Sequence, residues 1–239
     1  MTKPLNSSTE LTEPATITET DAPPGTLWSR MKADPQYAPE HLALEAVRRL
    51  GPEAAAWAER ARAEHPDRTP EQLAAQAVKR FTTLARISGA VSGATGLPGA
   101  VLDVGVLAWN QARMVLHIAA AHGHDPAAPE RATELLVLQR VHKLAQSARL
   151  ALGVAAGRER AVKMFAGAGT RPLSGVMLRL GVKLAQMAGV HAARRVFAKM
   201  IPGAAIVLGT WVNSAATREL AERARDLYSH TRQPDPQPR

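Results

Sequence analysis

Long runs of Ala, Leu and Val, each entered through a proline and many of them left through a glycine, constrain this chain more than any other feature. Pro39, Pro52, Pro70, Pro98, Pro126, Pro172 and Pro202 stand at the openings of such runs, and Gly51, Gly123 and Gly153 at closings. A helix start has no partner for its first N–H groups, so proline loses nothing there. A helix end often needs a left-handed residue, which glycine adopts freely. No stretch alternates apolar and polar residues over strand length beside turn signals. The expected fold is therefore all-α, a single globular multi-helix bundle. No repeat of 30–45 residues is present, which argues against a solenoid.

The punctuation gives the helices. One runs from Pro39 to Gly51 and the next from Pro52 to about His65. Thr69-Pro70-Glu71-Gln72 has the form of a capping box with proline at the first helical position, opening a helix to about Val91. Pro98 opens a helix to Ala121 with Gly123 as its stop, and Asp125-Pro126 one through Leu150 closed by Gly153. A short helix is expected over Arg158–Ala166, a loop at Gly167 and Gly169, then helices from Pro172 to Lys199 and from Pro202 to about Tyr228. Residues 1–27 are polar and rich in Pro and Thr without an apolar period, and read as a disordered acidic tail; 231–239 read as a second tail, leaving 28–230 as the helical domain.

Composition sharpens this outline. Aromatics are only 4%, so Ala, Leu, Val and a few Met must fill the core. The chain has no cysteine, which excludes disulfides and thiolate metal sites and fits a reducing cytoplasm. The N-terminus lacks the basic-then-apolar pattern of a secretory leader. Charge is unevenly spread. In the first 27 residues Lys3 stands against Glu10, Glu13, Glu19 and Asp21, a net of −3. Residues 231–239 net +1, so about +11 of formal charge sits on the helical part of a chain whose total is +9. A basic body attracts anionic lipid, nucleic acid or an acidic protein. Two uncharged stretches, Ile87–Leu102 and Met200–Thr217, read as buried core or as hairpins dipping into a membrane.

The glycine-rich segment Ser88–Gly99 invites two readings. Gly89 and Gly93 share a helix face, and with Gly96 and Gly99 they allow close helix packing. Phosphate binding in a P-loop would need a strand before the loop and a Gly-Lys-Ser/Thr ending, and both are missing.

The helix after Pro98 carries a narrow polar strip. At about 100° per residue, Asp103, Asn110 and His117 fall within about 40° of one another, with Arg113 close by. The strip is either solvent-exposed or buried along an internal groove, where Asp103 would need a partner from another helix. Asp103 and His117 are about 21 Å apart along the axis, and Asn110 about 10 Å from each, so no metal site or acid–base pair forms within this helix. In the last helix Asn213 shares its face with Thr217, Leu220, Ala224 and Leu227, opposite Arg218, Glu222, Arg225 and Asp226. It points to the core as a structural anchor or a ligand-binding amide. No catalytic residues, metal ligands or cofactor are expected.

Three segments in order resemble the EcsC protein family: Leu84–Gly99; Asp103–Gly123 with Gln111, Arg113 and the closing His122-Gly123-His124-Asp125-Pro126; and Ile201-Pro-Gly-Ala-Ala through Asn213, Thr217, Ala221 and Tyr228. The resemblance spans about residues 75–228. Gly209 sits where the family tends to keep a close-packing glycine, and His122 where it often has Tyr. The resemblance implies a cytoplasmic, membrane-peripheral helical accessory protein linked to an ABC-transporter pair, with no implied catalytic step.

Function follows in outline. The leading expectation is a non-enzymatic interaction protein whose partner is an anionic membrane surface or a membrane protein. Alternatives are a cytosolic protein-binding module, with residues 1–27 as its docking tail, and an enzyme or small-ligand binder using Asp103, Arg113 and Asn213. Nucleic acid is disfavoured: Arg131, Arg140, Arg149 and Arg158 recur every nine residues, which alternates helix sides, and there is little aromatic interleaving for base stacking.

Overall fold

The computed structural model describes residues 23–91, 96–164, 183, 187 and 205–231, with side chains at 85–103, 161–164 and 205–214 outside the described set. Within these residues the chain forms seven α-helices and one 3-10 turn: α1 (Gly25–Ala33), the turn Pro35–Tyr37, α2 (Ala38–Glu64), α3 (Pro70–Val91), α4 (Gly96–Ala121), α5 (Glu130–Leu138), α6 (Ala145–Met164) and α7 (Ala205–His230). The all-α expectation holds.

The centre is α4. From Val104 to Ala121 every residue except Val106 is buried. It is apolar around nearly its whole circumference, so other helices can cover it on every side. It packs against α2, α3, α5 and α7. Trp109, Met114, Leu116 and Ile118 from α4 meet Leu42 and Leu50 from α2, Leu73 and Phe81 from α3, Leu135 from α5 and Tyr228 from α7 in one continuous core. The large side chains of this core, each contributing about 1.5–3 kcal/mol on burial, compensate for a composition led by alanine.

The helix ends show how local chemistry sets boundaries. At the start of α3 the Gln72 N–H donates to Thr69 Oγ1 (3.2 Å) and the Thr69 N–H to Gln72 Oε1 (2.9 Å), the reciprocal capping box the sequence predicts. At the end of α4, Gly123 takes φ 87°, its N–H donates to Ala120 O and the His124 N–H to Ala119 O. That pair of bonds is a Schellman motif.

Several expected boundaries are corrected. Gly51 and Pro52 do not end a helix: α2 runs through them for 27 residues. A proline crowds the Cβ of the residue before it, and Gly51 has none. Gly51 instead provides a close approach, since a Cβ there would lie 2.7 Å from Ala127 Cα and 2.8 Å from Pro126 O. The helix expected from Pro126 to Leu150 is two helices. After an Asx turn in which the Ala127 N–H donates to Asp125 Oδ1, α5 begins at Glu130 and stops at Leu138. Its stop is Arg140, in the left-handed region at φ 58°, with N–H bonds from Arg140 to Val137 O and from Val141 to Leu136 O. This is a second Schellman motif, with arginine where glycine is usual. Gly153 closes nothing and lies inside α6, which also absorbs the short helix expected from Arg158. The tail boundary expected at residue 27 also moves: α1 starts at Gly25, and Leu27 is fully buried. Residues 1–22 and 232–239, Gly93, the loop at Gly167 and Gly169, and most of the Pro172–Lys199 helix lie outside the described residues. Among those described, no helix is long and apolar enough to cross a membrane.

Candidate functional site

The described part of the α4 polar strip is buried. Asn110, Arg113 and His117 are all at most 5% exposed. The sequence leaves open whether this strip faces water or an internal groove; for Asn110, Arg113 and His117 burial settles it, and the last two face α2 and α3.

Arg113 is closed by Glu53 of α2. Its Nε donates to Glu53 Oε1 at 3.0 Å, and a terminal nitrogen donates to the same oxygen. The guanidinium carbon also lies 5.6 Å from the centre of the Phe81 ring. A buried guanidinium needs such a carboxylate, because an unpaired charge in this setting is costly. One turn on, His117 is wedged between Trp57 of α2, with ring centres 5.0 Å apart, and Phe81 of α3, at 4.9 Å and near edge-on. Its Nδ1 is 2.8 Å from the Arg113 carbonyl oxygen. The carbonyl can only accept, so the proton sits on Nδ1 and Nε2 is the bare nitrogen. Burial lowers the His117 pKa to about 3; the Arg113 carbonyl works against this, and the charges of Arg113 and Arg80 add to it. The ring is neutral at physiological pH.

The spacing explains the fit. Arg113 and His117 are four apart on α4, and Glu53 and Trp57 four apart on α2. Residues at that interval stack on one helix face, so the two pairs meet turn by turn across the interface. Glu53 and Trp57 share a helix face in the sequence as well, but nothing local shows that this face meets Arg113 and His117 of α4.

The other candidates do not converge here. Gln111 Nε2 donates to Thr217 Oγ1 of α7 at 3.5 Å. Thr217, Leu220 and Ala224 are buried and Arg218, Glu222 and Asp226 exposed, the facing predicted for α7. The side chains of Asp103 and Asn213, and the surroundings of Gly89, Gly96 and Gly99, lie outside the described residues. Among the described residues no group of three His, Asp or Glu side chains could hold a metal.

Two further polar clusters escape sequence reasoning because they join distant segments. Tyr228 of α7 donates to Glu134 Oε2 at 2.6 Å, lies 5.3 Å beneath the Arg131 guanidinium and packs against His124. Burial first, and the Glu134 carboxylate next, raise its pKa well above the usual value. On the far side, Glu45 of α2 is 1% exposed and accepts from Arg30, Arg48 and Arg49 at 2.5–2.6 Å, while Arg30 also reaches Glu159 of α6 at 2.6 Å. Burial pushes the Glu45 carboxyl up, but the three arginines outweigh it and hold its pKa at about 2. This network, with Arg158 on Asp34 at 3.0 Å, fastens α1 and α2 to α6.

These clusters share a role. The Arg113–Glu53, Tyr228–Glu134 and Arg30–Glu45–Glu159 contacts each join different helices and so brace the bundle. The family model described as the EcsC protein family matches residues 63–232. No curated protein and no solved structure matches the chain. The match takes in α3 to α7 and leaves out α1 and nearly all of α2, the helix that supplies Glu53 and Trp57.

Proposed function

This chain belongs to the EcsC protein family, and from that premise we propose that it is a non-enzymatic helical interaction protein working at the anionic inner face of a membrane. The observation that carries this reading is the use of the α4 strip inside the bundle. With Arg113 and His117 committed to Glu53, Trp57 and Phe81, the chemistry left to present is on the surface, and the surface is basic. About +11 of formal charge sits between residues 28 and 230. Each Lys or Arg near an anionic leaflet contributes about 1 kcal/mol of attraction. An ABC-transporter pair, the partner that the family resemblance implies, would be met at the same face.

Vesicle flotation tests the reading. The purified chain should float with vesicles containing an anionic lipid and stay behind with neutral ones. No flotation with either removes the membrane part and leaves a cytosolic protein-binding module, for which a pull-down with the full chain, compared with one lacking residues 1–22, is the next step.

A further inference from the structure

The exposed large apolar side chains among the described residues are Leu144, Leu150 and Val154, at 66%, 69% and 44% exposure. All three belong to α6 or the residue that opens it. On an α-helical wheel Leu150, Gly153, Val154 and Gly157 fall within about 100°. The opposite side of α6 holds Ala148, Leu152 and Ala155, which are buried against the bundle. Among the described residues, a Cβ at Gly153 or Gly157 would meet nothing within 4 Å, so none of them covers this face. Arg149 and Arg160 border it on the glycine side and Lys143 stands at its start. All three are exposed, and none has an ion-pair partner among the described residues.

From this juxtaposition we propose that the outer face of α6 is the surface by which the protein docks on an anionic bilayer, Leu150 and Val154 entering the interface while Arg149, Arg160 and Lys143 meet lipid phosphates. The inference rests on the membrane reading above and names the surface that performs it. Charge complementarity selects the occupant. The Gly153–Gly157 interval would admit a second helix closely. A second copy of α6, however, would bring four arginines together, and the acid of the helix, Glu159, is already held by Arg30. Three apolar side chains also fall short of the roughly 800 Å² per partner of a stable protein interface. A helix lying in the headgroup layer needs only shallow apolar contact and flanking cations.

The test uses the full chain, whose lack of cysteine allows single labels. Val154→Cys carrying an environment-sensitive fluorophore should shift to the blue on anionic vesicles, while the same label at Ser229→Cys should not. In co-sedimentation, Arg149→Gln with Arg160→Gln should weaken binding about thirtyfold, from about 1 kcal/mol for each cation removed. Arg60→Gln with Arg218→Gln, exposed cations on other helices, removes the same charge and should change binding less than threefold. Leu150→Ser with Val154→Ser should also weaken binding, which a purely electrostatic contact would not show. If the wild-type chain binds and the two arginine pairs behave alike, the α6 surface is wrong and the membrane reading stands. If the wild-type chain binds no vesicle, both are overturned.

Discussion

Arg113 at the centre of the bundle is neutralised by Glu53, a residue outside the family-matched span. The N-terminal helices therefore complete the interior of the domain. Glu53→Gln leaves a buried guanidinium without its counter-charge and should cost about 3 kcal/mol, read as a shift in the urea midpoint. Arg113→Met combined with Glu53→Leu removes both charges and should cost clearly less. An equal loss in the two variants would mean that the pair acts through packing alone.

Gly105→Ala tests the docking of α1. A Cβ at Gly105 would lie 2.1 Å from the Trp28 ring, so the indole must move out of its seat. Trp28 is on α1, and its displacement should loosen the helix and expose Leu27. Faster proteolysis between α1 and α2, with the remaining bundle intact, is the expected outcome. Gly51→Ala should be worse for global stability: it meets backbone atoms of Ala127 and Pro126, and overpacking of this kind costs about 1–3 kcal/mol.

Stability should fall in acid in two stages. His117 has a folded pKa of about 3 against an ordinary 6.5, so the unfolded chain takes up the proton first. Its contribution is whole above pH 6.5 and is lost as the pH drops from 6.5 toward 3, at about 1.4 kcal/mol per pH unit. Glu45, held at about 2 against 4.5, adds a loss of the same sign below pH 4.5. Urea midpoints measured between pH 7 and 4.5 should flatten in His117→Phe. A slope that survives this substitution would place the titrating group elsewhere.

Arg140→Gly should raise stability. The left-handed backbone at φ 58° disfavours arginine by about 1 kcal/mol, and glycine relieves it. The ion pair lost with Glu219 joins two exposed side chains and contributes little.

Arg140 also shows why part of the fold is hidden from sequence reasoning. Gly123 announces the end of α4 because glycine is the residue the left-handed cap favours, and Thr69 with Gln72 announces the start of α3 because both halves of the capping box are local. Arg140 makes the same cap as Gly123 without the signal, so α5 and α6 read as one helix. Pro52 gives the opposite error, since a proline after glycine can sit inside a helix. The polar strip of α4 is legible as a strip from its spacing, but the sequence leaves its burial open, because a narrow strip on an apolar helix suits either a solvent edge or an internal groove. Its partners are not legible, because Glu53, Trp57 and Phe81 reach it only through the packing of α2 and α3.

Co-sedimentation of the full chain with anionic and neutral vesicles across a salt series decides whether the protein works at a membrane. Binding to anionic vesicles alone is expected, weakening steadily as salt rises from about 0.05 to 0.5 M and shortens the screening length. Equal binding to neutral vesicles, or none to either at the lowest salt, would contradict it.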